Sequence, residues 1–118
     1  MALAELKRTL ESTSEIEITV KGRRSGREVA HPVWFVLDDE KLYLLPVKGS
    51  DAQWYKNLLK TPAIRVSADG AEATATAIPI TDPAKVRDVV EKFRAKYGVE
   101  AVERYYEKFD VAVEVPLV

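Results

Sequence analysis

From Glu15 onward the apolar residues of this chain recur with a period of two, a rhythm that confines much of it to antiparallel strands. Ile16, Ile18 and Val20 fall on one face, with Glu15, Glu17 and Thr19 on the other. "GRRSG" makes a turn, after which Val29, His31, Val33, Phe35 and Leu37 alternate with Ala30, Pro32, Trp34 and Val36. Both sets are largely apolar, which predicts a strand over 29–37 covered on both faces. Pro32 has no N–H to give a ladder, so it predicts an edge or a bulge. "DDE", Asp38 to Glu40, turns the chain into the strand "KLYLLPV", and these three strands are expected to form an antiparallel meander. "TPAIRVSADGAEATATAIPI" reads as two strands joined at Asp69-Gly70, and "FDVAVEVPLV" as the last strand.

Helices punctuate the strands. Leu3, Leu6 and Leu10 predict a short N-terminal helix within residues 1–12. Ser50 or Asp51 is expected to cap a helix "AQWYKNLLK", with Trp54, Leu58 and Tyr55 turned inward. Asp82-Pro83 opens another, whose Val86, Val89, Val90, Phe93 and Tyr97 recur at helical spacing up to a stop at Gly98. A further helix is expected over Val99–Lys108. About six strands with interleaved helices, and no βαβ alternation, argue against a dinucleotide-binding sheet. The fold class expected is mainly β with flanking helices (α+β), a small antiparallel barrel forming a single domain over 1–118.

Composition removes several chemistries. The chain has no cysteine, so thiolate nucleophiles and zinc–sulfur sites are excluded. A lone histidine, His31, excludes a multi-histidine metal centre, and no metal site is expected. A formal charge of −1 argues against a broad nucleic-acid surface. No run is long and apolar enough for a membrane helix and no leader pattern is visible, so the default expectation is cytoplasmic.

Against that neutral background, Lys21, Arg23, Arg24 and Arg27 crowd one turn, and Glu28 is the only acid between Lys21 and Asp38. Guanidinium forks match phosphate or carboxylate oxygens in pairs, and Gly22 and Gly26 allow tight backbone turns. The bland alternative is a solvated hairpin tip. A second constellation is "LLPVKGSDAQWYKNL", in which a lysine, a glycine and a helix start favour negative charge, with Asn57 a candidate tie for the loop. The alternative is an ordinary strand–helix connection. A third is aromatic: Trp34, Tyr97, Tyr105 and Tyr106 are candidates to line a pocket. Adjacent in a helix, Tyr105 and Tyr106 are not expected to face the same way. His31 reads more readily as structural than catalytic.

In their order, "GRRSGREVAHPVWF", "LYLLPVKGSDAQWYKNLLKTPAIRV", "ITDPAKVRDVVEKFRAKYG" and "RYYEKFDVAVEVPL" resemble the deazaflavin-dependent nitroreductase and quinone-reductase family, a branch of the flavin-reductase split-barrel proteins. The resemblance implies a split antiparallel β-barrel, FMN-binding-like, that holds coenzyme F420, an 8-hydroxy-5-deazaflavin. On that pattern Arg23, Arg24, Ser25 and Arg27 meet the anionic tail. Pro32, Trp34, Pro46, Val47, Lys48, Gly49 and Trp54 lie around the ring. Many relatives carry a further basic residue where this chain has Val29, a charge assigned here to Arg27. The loop between Lys48 and Trp54 is short beside that of the nitroimidazole-activating members, whose substrate range is therefore not carried over.

The function implied is an oxidoreductase delivering hydride from reduced F420 to a small organic acceptor, a quinone, enone or nitro compound. Tyr105 and Tyr106 are the catalytic candidates, shaping the acceptor pocket and protonating the product. Two rivals keep the fold: an FMN-binding reductase, whose single phosphate needs fewer cations, and a non-catalytic carrier. The brief N-terminal helix offers little material for a lid, so the pocket is expected to be open or completed by a second subunit in a homodimer.

Overall fold

A computed structural model describes the backbone of residues 2–117 and the side chains of residues 5–117. Met1, Val118 and the Leu3 side chain, part of the expected terminal elements, lie outside the described residues. The elements run α1 (Ala2–Leu10), β1 (Ile16–Lys21), β2 (Glu28–Val33), β3 (Phe35–Asp38), β4 (Lys41–Leu44), α2 (Gln53–Lys60), β5 (Ala63–Ala68), β6 (Ala71–Thr76), β7 (Ile78–Ile80), α3 (Pro83–Tyr97), α4 (Val99–Tyr105) and β8 (Ala112–Pro116).

Among the described residues eight strands, rather than about six, form two antiparallel sheets of order β2-β1-β5-β6 and β3-β4-β8-β7. The increase comes from two corners. The strand expected over 29–37 breaks at Trp34, and the last stretch of "TPAI…IPI" breaks at Ala77. At each corner the chain leaves one sheet and joins the other, so the expected meander is divided between sheets, and the architecture is a split barrel. Tyr97 supports the first corner. Its hydroxyl accepts from the Phe35 N–H at 3.1 Å and donates to Ser14 O at 2.7 Å. Phe35 O takes the Lys96 ammonium at 2.9 Å, which also sits 3.5 Å above the Phe35 ring. Hydrogen bonds that would continue a ladder are thus taken by α3 side chains.

Pro32 lies on an edge strand, as its missing N–H requires, and faces Glu17 of β1. The strand is not covered on both faces, however. Val29, Ala30 and Pro32 are exposed, because β2 has a neighbour on one side only. The core divides in two. Leu6, Ile18, Val20, Phe35, Leu42, Leu44, Ile64, Val66, Val113 and Val115 fill the interior beneath α1 and α2. Val86, Val89, Val90, Phe93 and Val102 pack α3 and α4 on Val36, Leu45, Ile80 and Ala112.

Capping follows the sequence at α3, where the Asp82 carboxylate accepts from the Ala84 N–H at 3.0 Å and Gly98 ends the helix at φ 95°. It departs at α2, whose N-cap is Ala52 with no side-chain bond. Ser50 and Asp51 instead form a single 3₁₀ turn ahead of the helix. The expected helix over 99–108 ends at Tyr105, and the strand expected over 41–47, ahead of the loop into α2, ends at Leu44 rather than Val47.

Candidate functional site

The arginine turn closes the β1–β2 hairpin, where Lys21 pairs with Glu28 and Gly22 N–H donates to Arg27 O at 2.8 Å. Its cations divide into two groups. Arg23 is a strut: its N–H and Nη1 both donate to Asn57 Oδ1, at 3.1 and 2.8 Å, and Nη2 donates to Gln53 Oε1 at 2.7 Å. Lys60 Nζ completes the tie by donating to Arg23 O at 2.8 Å. Asn57, 6% exposed, therefore binds the arginine turn to α2 rather than tying its own loop. Ser25 is a bracket within the turn, its hydroxyl accepting from the Arg27 N–H. Arg24 and Arg27 are exposed and make no ion pair among the described residues, since the nearby Glu28 carboxylate is drawn to Arg65 at 3.2 Å.

The Lys48-Gly49 loop is held from the other side. Gly49 N–H donates to Pro46 O, and Glu107 N–H donates to Val47 O at 2.8 Å. The Asp110 carboxylate accepts from the Ser50 N–H at 2.9 Å and from the Ser50 hydroxyl. Gly49 has φ 57°, and a Cβ there would lie 2.1 Å from Asp110 Oδ1, so the group approaching this glycine is the protein's own carboxylate. Burial raises the Asp110 pKa, but the Ser50 bonds and the Lys108 ammonium outweigh it and hold the group below its ordinary value. Lys48 is exposed and unpaired among the described residues. Pro46 is buried beneath the loop.

Between these features lies a pocket of about 200 Å³ lined by His31, Pro32, Val33, Trp34, Leu45, Val47, Trp54, Tyr105 and Tyr106. Both tryptophans of the chain line it. Trp34 is sandwiched, stacking on Tyr97 at 4.3 Å and 11° and on Tyr105 at 4.3 Å and 25°. Tyr106 meets Trp34 edge-on at 6.0 Å. The two tyrosines therefore converge on one indole, contrary to the helical expectation. The reason is local: α4 ends at Tyr105, and Tyr106 has extended backbone (φ −95°, ψ 137°), which turns its ring inward.

Two residues of the pocket wall each carry a fully buried polar atom with no partner among the described residues, Tyr106 Oη and His31 Nε2. Burial first, then the neighbouring Tyr105 and Tyr97 phenols, pushes the Tyr106 hydroxyl far above the ordinary tyrosine range. Burial lowers the His31 imidazole below 6.5. No charged side chain lines the pocket. Its wall is largely apolar and aromatic.

Six of the residues singled out from the sequence, Pro32, Trp34, Val47, Trp54, Tyr105 and Tyr106, come together here. Lys48 and Gly49 follow Val47 on the adjoining loop. Arg24 and Arg27 sit at the far end of β2, Arg27 four residue steps, about 13 Å of strand, from His31. Trp54 and Gln53 connect the two ends, because the residue that receives Arg23 precedes the one that walls the pocket. Sequence reasoning missed Asp110, whose role depends on a contact across 60 residues. It also gave His31 no place at a site, although the alternation that put it on β2 was the available signal. Among the described residues no cluster of three acidic, histidine or cysteine side chains is placed to hold a metal, and no helix is long and apolar enough to cross a membrane.

Comparison with solved structures supports the architecture. An F420-H2-dependent reductase (FDR-A) superposes with a TM-score of 0.68 at 19% identity, covering 86% of this chain and 93% of that one. The Vibrio cholerae haem storage protein HutZ gives 0.72 at 15% identity, covering 96% and 87%. A putative pyridoxamine 5'-phosphate oxidase from Listeria innocua gives 0.68 at 14%, covering 98% and 92%. At these identities the likeness establishes the fold alone, a split barrel. No curated protein matches the chain significantly. The family model "Uncharacterized protein conserved in bacteria (DUF2255)" matches residues 5–112. A match over most of the chain, joined to the two-sheet barrel, places this protein in the DUF2255 family.

Proposed function

We propose that the protein is an oxidoreductase that uses a deazaflavin of the F420 type to reduce a small organic acceptor. The observation that carries this reading is the pairing of unpaired exposed cations with an aromatic pocket along a single exposed strand. Arg24 and Arg27, with Lys21 beside them, suit a tail bearing several negative charges, and the surface between them and the pocket is the open face of β2. The residues fit such a group: Arg24, Arg27 and Lys48 are exposed and make no ion pair among the described residues. When bound, the reduced deazaflavin supplies the hydride. Lys48 and the α2 N-terminus favour negative charge at the loop, and Trp34, Trp54 and Val47 wall the pocket against water. The number of cations supports the choice of F420 over FMN, whose single phosphate needs fewer.

Arg23 is not the residue to test first, because its guanidinium is committed to Asn57 and Gln53. Replacing both Arg24 and Arg27 with Ala removes charge-assisted bonds worth roughly 1.5–3 kcal/mol each, reduced at this exposed turn by solvent screening. Affinity for oxidised F420, followed by its fluorescence, should fall by about tenfold to a hundredfold. An unchanged dissociation constant, or tighter binding of FMN than of F420 by the parent protein, would overturn the assignment. Binding without acceptor-dependent oxidation of the reduced coenzyme would instead identify a carrier. Pro32 and Tyr105 leave apolar surface exposed at the pocket, Val29 and Ala30 along the same strand, and a second copy of the chain closing it belongs to the same reading.

A further inference from the structure

Along α3, Pro83, Arg87, Val90 and Arg94 recur three or four residues apart, and so line one side of the helix over about 16 Å. They form one wall of a groove of about 540 Å³, and Phe109 and Asp110 form the other. Its apolar surface comes from the exposed Pro83 and the half-buried Phe109, with the nearly buried Val86 and Val90 at the floor. The charges around it are unevenly committed. Glu91 is held by Arg94, and the Asp110 carboxylate by Ser50 and by Lys108 at 3.6 Å. Arg94 reaches Glu103 as well, at 3.9 Å. Arg87 is exposed and makes no ion pair among the described residues. One short segment joins this groove to the candidate site. Residues 106–110, neither helix nor strand, carry Tyr106 to the aromatic pocket, and Phe109 and Asp110 to the groove. The Tyr106 and Phe109 rings lie 5.9 Å apart, and Asp110 accepts from the Ser50 N–H of the Lys48-Gly49 loop at 2.9 Å.

We propose that this groove is a second ligand site, for a small aromatic monocarboxylate whose ring lies against Phe109 and Pro83 and whose carboxylate pairs with Arg87, and that its occupant is felt at the Lys48-Gly49 loop through Asp110. Charge sets the class. An entering anion finds in Arg87 a cation that no carboxylate of the described residues has taken, whereas an entering cation finds Glu91 and Asp110 already engaged. A second negative charge on the ligand would face those same two carboxylates, so the occupant carries one. Size sets the outline. The volume falls within the roughly 300–1,000 Å³ of pockets that enclose a small molecule, and the length along α3 suits one ring with a short chain. The coupling is equally direct: a ring seated on Phe109 bears on the residue next to Asp110, and any shift of that carboxylate changes both of its bonds to Ser50. The site and its coupling stand apart from the reductase reading, since neither uses the arginine turn or the aromatic pocket.

The experiment titrates the coenzyme-free protein, with ¹⁵N amides and ¹³C valine methyls, with 4-phenylbutyrate and, separately, with 4-phenylbutanol, which has the same outline without the charge. Phenylbutyrate should shift the Val86 and Val90 methyl resonances and the Ser50 amide, while phenylbutanol should bind about fivefold to tenfold more weakly. Arg87→Gln should weaken phenylbutyrate by about the same factor and leave phenylbutanol unchanged, a pattern that damage to the fold would not produce. In Asp110→Ala the valine methyls should still respond to phenylbutyrate and the Ser50 amide should not. Methyls of Val86 and Val90 left unmoved, shifts confined to Val33 and Val47 of the aromatic pocket, equal binding of acid and alcohol, or an Arg87→Gln protein that binds the acid as the parent does would each overturn the site. A Ser50 amide that stays still while the two valines move would overturn the coupling. No coenzyme is present in any of these titrations, so their failure leaves the F420 assignment standing, and failure of the F420 titration leaves the groove standing.

Discussion

Gly49 is the residue whose role changes most between sequence and structure, and its replacement gives a sharp test. Read from the sequence, this glycine lets a bound molecule approach the backbone. In the structure it lets Asp110 approach: an Ala Cβ would stand 2.1 Å from Asp110 Oδ1, with Lys108 Cγ at 3.0 Å behind it. Gly49→Ala therefore carries two separable penalties. The first is conformational, since φ 57° is left-handed, at about 1–2 kcal/mol for a residue with a Cβ. The second is steric: the carboxylate must move and release the Ser50 N–H and hydroxyl. Bonds to a charged acceptor are worth roughly 1.5–3 kcal/mol, but the Asp110 side chain is 36% exposed, so about 1–2 kcal/mol for the pair is the expected loss after screening.

The two penalties separate in a double-mutant cycle read by urea unfolding. Gly49→Ala should destabilise by about 2–4 kcal/mol and Asp110→Ala by about 1–2 kcal/mol. In the Asp110→Ala background the glycine change should retain only its conformational part, about 1–2 kcal/mol. Equal costs for Gly49→Ala in both backgrounds would refute the steric account and return the glycine to the role of making room for a ligand.

Other perturbations follow from the same geometry. Tyr97→Phe leaves the Phe35 N–H and Ser14 O without their partner at the sheet corner and should lower unfolding free energy by about 1–3 kcal/mol in urea, a loss that no ligand restores. Asn57→Ala removes two of the four hydrogen bonds that tie Arg23 to α2 and should weaken coenzyme binding several-fold although Arg24 and Arg27 are untouched, as measured by the F420 titration. His31 has a folded-state pKa below 6.5, so the unfolded chain takes up a proton first as pH falls, and stability is lost from about 6.5 downward. Unfolding free energies at pH 7.5 and 5.5 should thus fall less for His31→Gln than for the parent. Asp110 works in the opposite window: its lowered pKa contributes stability above about 3.8 that disappears as pH drops through the folded value, and Asp110→Asn should flatten that acid limb.

Much of the barrel was legible because its signals are local. Alternation placed Ile16, Ile18 and Val20 inward, Asp69-Gly70 marked a hairpin, Asp82-Pro83 opened α3 and Gly98 closed it. The two corners were not legible, because alternation runs unbroken through Trp34 and nothing local says that Phe35 will bond to Tyr97, 62 residues on. The exposure of β2 was hidden for a related reason. An apolar edge strand and an apolar central strand have the same pattern, and only Pro32 hinted at the difference. Trp34, Trp54, Tyr105 and Tyr106 were legible as pocket candidates by residue type, whereas their convergence depends on α4 ending between the two tyrosines.

The arginine turn shows why a charge cluster should be divided by geometry before it is given a role. Four cations in seven residues suggested one anion-binding device. Arg23 is instead spent on Asn57 and Gln53, an arrangement that fixes the hairpin to the helix carrying Trp54. That strut has a functional consequence of its own. It makes the position of the free cations Arg24 and Arg27 depend on α2, and through α2 on the pocket wall. A ligand that bridges turn and pocket would then gain from a spacing the protein has already fixed, rather than ordering a loose hairpin when it binds. Removing the strut should accordingly make bridging ligands lose more affinity than ligands confined to either end. Inorganic phosphate at the turn should bind the Asn57→Ala protein nearly as it binds the parent, while F420 should not. Equal losses for both would mean that Asn57 only stabilises the fold.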